Sequence, residues 1–253
     1  MILPRITPCL LIKDDALYKT VKFRDLNYIG DPINAVRIFN EKLVDELTIF
    51  DIGVSAKNQK PNFDLISIIA SECRMPLCYG GGIENVSQIR EIVSLGVEKV
   101  SVNTSALKNS KILVEGCKEI GNQSMVLTLD IMKENNNYFI YTRNGTSNTG
   151  LCPFDFIKKN QEHVGEIIVN NINNDGTMIG YDFELIDKIK SIITIPLTVI
   201  GGAGSLEDIK SLFKRYGIIG ASAGSLFVYK GSYKAVLINY PAKEIKHNLY
   251  SIL

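Results

Sequence analysis

Short apolar runs alternate with amphipathic segments from one end of the chain to the other. The runs predict strands over residues 6–12, 46–51, 77–79, 99–102, 125–131, 166–170, 197–200 and 218–223. Between them, apolar positions recur at the helical period, as over 32–42, 86–95, 183–192 and 206–215. Eight strand–helix units of this size predict a closed α/β barrel of the (β/α)8, or TIM, type rather than an open doubly wound sheet. No linker or low-complexity stretch interrupts them, so residues 1–253 read as one domain.

The pattern also repeats. Gly80-Gly81-Gly82-Ile83 returns as Gly201-Gly202-Ala203-Gly204, 121 positions later, each time after an apolar run and before a helix-like segment. Val102-Asn103-Thr104 aligns with Ala223-Gly224-Ser225 at the same offset, and Gly30 aligns with Gly150 at 120. Two half-barrels, about 1–120 and 121–240, with a C-terminal helix to 253, account for a constant offset. A glycine turn between a strand and a helix lets backbone N–H groups approach an anion, and the helix dipole favours it. Gly81, Gly82, Asn103 and Thr104 are therefore expected to hold one phosphate, and Gly201, Gly202, Gly224 and Ser225 another. The expected ligand is a small molecule phosphorylated at both ends.

In such a barrel the strand C-termini surround the active site. That rule places Leu11, Asp51, Gly80, Asn103, Asp130, Asn171, Gly201 and Gly224 around one mouth. Asp130 ends an apolar strand and is positioned to move protons. The long segment between Asp14 and Asp31, which contains Lys19, is a candidate lid. Residues 138–143 with Asn144-Gly145 read as a hairpin after the fifth strand.

Composition narrows the function classes. The chain carries 28 basic and 27 acidic residues, a formal charge of +1, so no nucleic acid or membrane surface is expected as partner. No apolar window is long enough to span a bilayer, and the N-terminal apolar run is too short for a signal sequence. The five cysteines are irregularly spaced, as in a reduced, cytoplasmic protein. With His163 and His247 the only histidines, both in polar helical contexts, neither a metal site nor a histidine-based triad is expected. No cofactor is implied.

Taken in order, Arg5, Lys13-Asp14, Gly30-Asp31-Pro32, Asp45-Glu46-Leu47, the Gly80 run, Glu98 to Thr104, Asp130, Asp175-Gly176-Thr177 with Gly180-Tyr181-Asp182, and the Gly201 run resemble the cyclase subunit of imidazole glycerol phosphate synthase. The resemblance covers nearly the whole chain. It implies a heterodimer with a glutaminase at the barrel bottom, whose ammonia passes through the barrel. At the top, ammonia cleaves and cyclises a ribulosyl formimino ribonucleotide with two phosphates. Asp130 matches a catalytic aspartate, Lys19 a lysine near the substrate, and Asp175, Gly176 and Thr177 part of the phosphate-binding set. Arg5, Glu46, Lys99 and Glu166 match the charged ring at the ammonia entrance.

One departure matters. The family uses a second aspartate at the end of the first strand, and here that position is Leu11. Leucine can neither donate nor accept a proton, and loss of a positioned acid/base costs about 10²–10⁴-fold. Asp14 or Asp51 could substitute. Asp15 and Thr20 also stand where the histidine enzymes commonly use glycine in the lid. Together with the stretches 19–25 and 30–40, this resembles cyclase-like proteins of bacterial surface-polysaccharide (lipopolysaccharide) gene clusters. Those work with a glutaminase and a sugar amidotransferase to amidinate an N-acetyl sugar. The expectation is an ammonia-channelling barrel of that kind. The alternatives are a histidine-pathway cyclase (a lyase) working with Asp130 alone, and a non-catalytic scaffold.

Overall fold

The computed structural model describes residues 4–57 and 59–251. Eight parallel strands close into a barrel. They are β1 (Arg5–Lys13), β2 (Leu47–Asp51), β3 (Leu77–Gly80), β4 (Lys99–Val102), β5 (Met125–Glu134), β6 (Glu166–Asn171), β7 (Leu197–Ile200) and β8 (Gly220–Ala223). Pairing runs around the barrel in chain order, and β8 on β1 closes the ring. The predicted (β/α)8 architecture is therefore present. Each strand is followed by a helix of eight or more residues: Pro32–Glu41, Phe63–Glu72, Val86–Ser94, Lys111–Ile120, Pro153–Asn160, Phe183–Lys190, Leu206–Tyr216 and Lys243–Tyr250. Of the expected domain, residues 1–3, 58, 252 and 253 lie outside the described residues.

Local chemistry explains where the helices start. Asp31 caps Pro32–Glu41 by accepting the Asn34 N–H at 2.8 Å, and Pro32 supplies a preset φ at the first position. Asn85 with Gln88 and Ser205 with Asp208 form reciprocal capping boxes. The helices bury apolar stripes on the outside of the barrel, with Phe39, Phe213, Leu47, Ile66 and Ile69 among the fully buried side chains. A second, smaller cluster fills the barrel itself: Cys9, Cys78, Val126, Ile168 and Ile200, with Leu11 and Phe50 packed against it.

Two strands outrun the barrel. β1 continues to Lys13 and pairs with a hairpin of Ala16–Val21 and Arg24–Gly30, and β5 continues to Glu134 and pairs with Asn137–Thr142. The hairpin turns at Asp14-Asp15, Lys22-Phe23 and Asn135-Asn136 all have positive φ at both central residues, the form that matches strand twist. The expected lid between Asp14 and Asp31 is thus an ordered β-hairpin laid over the mouth. The expected hairpin at 138–143 is the return strand from β5, and Arg143, Asn144 and Gly145 form its far turn.

Candidate active site and barrel entrance

Side chains alternate in and out along a strand, so one inward residue fixes the rest. At the strand starts, Arg5, Glu46, Lys99 and Glu166 form a closed ring. Arg5 donates to Glu46 at 2.8 Å and to Glu166 at 2.7 Å, and Lys99 donates to the same two carboxylates at 2.7 and 2.8 Å. Thr198 adds a fifth bond, to Glu166 at 2.5 Å. Both glutamates are buried, and burial costs a charge heavily unless it is paired. Burial, reinforced by the Glu166 charge, pushes the Glu46 carboxyl above its ordinary value. Burial works against Glu166 as well, but Arg5, Lys99 and Thr198 hold its carboxylate below the usual range. All four ring residues expected from the sequence come together.

Two residues further along the same four strands lie Thr7, Thr48, Ser101 and Ile168, with Thr128 of β5 beside them. Ser101 and Thr128 share a hydroxyl–hydroxyl bond of 2.5 Å. Above them the strands open into a cavity of about 480 Å³, within the range of small-molecule sites. Leu11, Phe50, Asn103, Asp130, Asn170, both glycine runs, Gly224 and Ser225 line it. Here the expected mouth is corrected at one position. The strand carrying inward Glu166 brings Asn170 inward, so Asn171 faces the other way and donates to Asp182 at 2.8 Å. A slip of one residue on a strand exchanges faces.

Asp130 sits between two amides. Asn103 donates to one carboxylate oxygen at 2.8 Å and Asn170 reaches the other at 3.4 Å. Burial, with Asp175 nearby, pushes its carboxyl up to about 7. A folded-state value above the unfolded one means the native protein holds this proton more tightly. The stability that this provides is complete below pH 4 and is lost as pH rises towards 7. Asp130→Asn should therefore flatten the pH dependence of unfolding between pH 4 and 7. The slope removed is at most about 1.4 kcal/mol per pH unit, measurable by urea titration. An unchanged slope would refute the assignment.

The lid hairpin closes on the same centre. Lys19 is buried, and its ammonium lies 3.4 Å from the Cys9 carbonyl, so near Gly224 that a Cβ there would overlap it. Gly224 has an ordinary negative φ, and space for Lys19 is the reason for glycine. Thr20 donates to the Asp175 carboxylate at 3.1 Å, and Lys22 N–H to the Asp175 carbonyl at 2.9 Å. Burial raises the Asp175 carboxyl, which Lys19 opposes. Of the expected phosphate triplet, Asp175 and Gly176 line the cavity. The Thr177 hydroxyl donates to the Asn174 carbonyl at 2.7 Å, and Asp175 also faces Lys19. Asn103 likewise offers its amide to Asp130, while Thr104 opens the short helix Thr104–Lys108 at the cavity wall.

The glycine runs have structural reasons of their own. Gly81, Gly82, Gly201 and Gly202 all have positive φ, and a Cβ at Gly202 would overlap the Gly180 carbonyl. Neither proposed substitute for the missing aspartate is free. Asp51 accepts the N–H groups of Gly53 and Val54 at 3.0 and 3.2 Å, and Asp14 is paired with Lys57. Lys57 and Lys108, at the ends of the short helices Ile52–Lys57 and Thr104–Lys108, also line the cavity with Lys13 and Arg143, and no signal in the sequence singled out Lys57 or Lys108. From the other side Asn144 reaches across the mouth to the Ile52 carbonyl at 3.1 Å.

Among the described residues no cluster of three or more metal-ligating side chains occurs, no helix is long and apolar enough to cross a membrane, and all five cysteines are unpaired.

Comparison with known proteins agrees with this geometry. A family profile described as histidine biosynthesis protein matches residues 5–234. A provisionally named imidazole glycerol phosphate synthase subunit HisF of Leptospira interrogans is 51% identical, over 99% of this chain and 100% of its own. The provisionally named hisF3 subunit of Vibrio vulnificus is 48% identical, over 97% of this chain and 96% of its own. The HisF subunit of Natranaerobius thermophilus, named without that qualification, is 33% identical over 95% and 96%. Together with the closed barrel, these likenesses show that the chain belongs to the histidine biosynthesis protein family, as a homologue of the HisF cyclase subunit of imidazole glycerol phosphate synthase.

Proposed function

We propose that this barrel receives ammonia from a glutaminase subunit docked beneath the charged ring and passes it to an acceptor at the mouth, where it serves amidination of an N-acetyl sugar in surface-polysaccharide assembly. The observation that carries this reading is the combination of a complete entrance ring with Leu11 where a second mouth carboxylate would stand. Entry chemistry is kept and half of the cyclase acid/base pair is missing. Identity points the same way: the provisionally named relatives, hisF2 and hisF3 among them, are 46–51% identical, and those named HisF without qualification 32–36%. Replacing the oxygen of an acetamide by nitrogen expels water and needs an activating co-reactant. That step belongs to a third protein, a sugar amidotransferase, so the barrel supplies ammonia alone.

One observation favours a second reading, a histidine-pathway cyclase that works with Asp130 alone. A carboxyl titrating near 7 is well matched to proton transfer at neutral pH. The test is co-purification with the cognate glutaminase, followed by transfer from glutamine labelled with ¹⁵N in its amide. On our reading the pair is stable, and with the amidotransferase present the label appears in the amidine of the sugar. Label in an imidazole product instead supports the cyclase, and failure to bind any glutaminase overturns both.

A further inference from the structure

The C-terminal segment reaches the entrance ring from behind. Tyr240 donates its hydroxyl to the Ile6 carbonyl at 2.9 Å and accepts the Asp45 N–H at 3.2 Å. The Asp45 carboxylate accepts the Ile6 N–H at 3.0 Å, the Tyr250 hydroxyl at 2.6 Å and the Lys246 ammonium at 2.7 Å. The peptide groups on both sides of Ile6 are therefore gripped, immediately after Arg5, and Asp45 immediately precedes Glu46. Lys246 also holds the Leu43 carbonyl at 3.1 Å, and Leu43 has a φ of +51°. A non-glycine residue stays in that region only where its surroundings over-determine it. Burial, with Asp45 alongside, pushes both phenols up, so each keeps its proton at neutral pH. The helix Lys243–Tyr250 is itself seated by Leu249 in the core and by the Phe213–Tyr250 ring pair at 5.9 Å.

We propose that Tyr240, Lys246 and Tyr250 are positioning residues for the entrance ring, holding the Arg5-Ile6 and Asp45-Glu46 backbones so that Arg5 can bridge both glutamates. The C-terminal helix is then a lever on the ring, and displacing it loosens the Arg5 contacts. A role for that lever in admitting ammonia rests on the reading above, whereas the ring geometry stands without it.

The test uses the isolated full chain and needs no partner. Exchange of the Arg5 guanidinium protons, followed by ¹⁵N NMR, reports the ring, and backbone amide exchange reports the helix. The Tyr240→Phe/Tyr250→Phe double variant removes two hydroxyls and leaves the rings. It should speed Arg5 exchange about tenfold, the equivalent of one lost hydrogen bond, with protection within the helix retained. Leu249→Ala loosens helix packing without touching Asp45, and it should lower the melting temperature with a smaller change at Arg5. The proposal is overturned if the double variant leaves Arg5 exchange unchanged. It is equally overturned if both variants speed it in proportion to their loss of stability. Should the double variant fail to fold, Tyr250→Phe alone is read by the same criteria.

Discussion

Leu11→Asp is expected to turn over the ribulosyl formimino ribonucleotide about 10²–10⁴-fold faster than the wild-type chain, both supplied with ammonium salt at alkaline pH. Leu11 lies inward on β1 and lines the cavity with Asp130, packed beside Cys9 and Phe50. Ring closure with bond cleavage needs a proton donor and a proton acceptor, and the second acid near Asp130 in the wild-type mouth, Asp175, is already engaged by Thr20 and Lys19. The gain should titrate with Asp130, already near 7 in the wild-type chain, with its midpoint moved to higher pH because the new carboxylate opposes ionisation. The variant should also be less stable, because a carboxylate enters an apolar cluster. Wild-type turnover equal to that of the variant would show that one aspartate suffices and would sink the reading of a changed acceptor. Two inert proteins would place the change in the whole pocket, as expected if the lid hairpin has been refitted.

Glu166→Leu is expected to destabilise the protein by about 2–3 kcal/mol, below the cost of breaking a fully buried pair, because the two cations it leaves are only partly buried. Arg5, Lys99 and Thr198 all donate to this carboxylate, and without it Glu46, which also contacts both cations, would set one negative charge against two positive ones. Replacing the four ring residues together by well-packed apolar side chains should cost far less, since buried ion networks often only break even against such cores. Urea unfolding of the single and fourfold variants decides the matter. If the fourfold variant loses as much as the single one, the ring is there for stability. If stability is kept but glutamine-driven transfer is lost, the ring is there for passage.

The barrel was legible because it depends on local signals. Seven of the eight predicted strands begin within one residue of the observed ones, since each is an apolar run bounded by turn residues. β8 begins two residues late, at Gly220, because Ile218 and Ile219 lead into the barrel before pairing starts. The four ring residues were legible through the family resemblance, and their place at the starts of buried strands explains why they pair with one another. The hairpin form of the lid was not legible, because its alternation is short and its turns use Asp14-Asp15 and Lys22-Phe23 in place of the Asn-Gly type that marks such turns. Asn170 was missed for Asn171 because two identical neighbours leave the inward face undetermined until Glu166 sets the phase.

By itself, then, the chain determined the strand–helix order, the barrel, the entrance ring and the substitution at Leu11. The strand–helix order and the barrel follow from periodicity, whereas the ring and the meaning of Leu11 follow from the resemblance to the cyclase family. Only the tertiary structure decided that Lys19 fills the space beside Gly224, that Asp175 belongs with the acids, that Asn103 and Asn170 flank Asp130, and that Tyr240, Lys246 and Tyr250 hold the ring. These contacts join residues from 10 to more than 200 positions apart. Closure of the barrel brings them together, and no local propensity encodes where a closed ring places its ends.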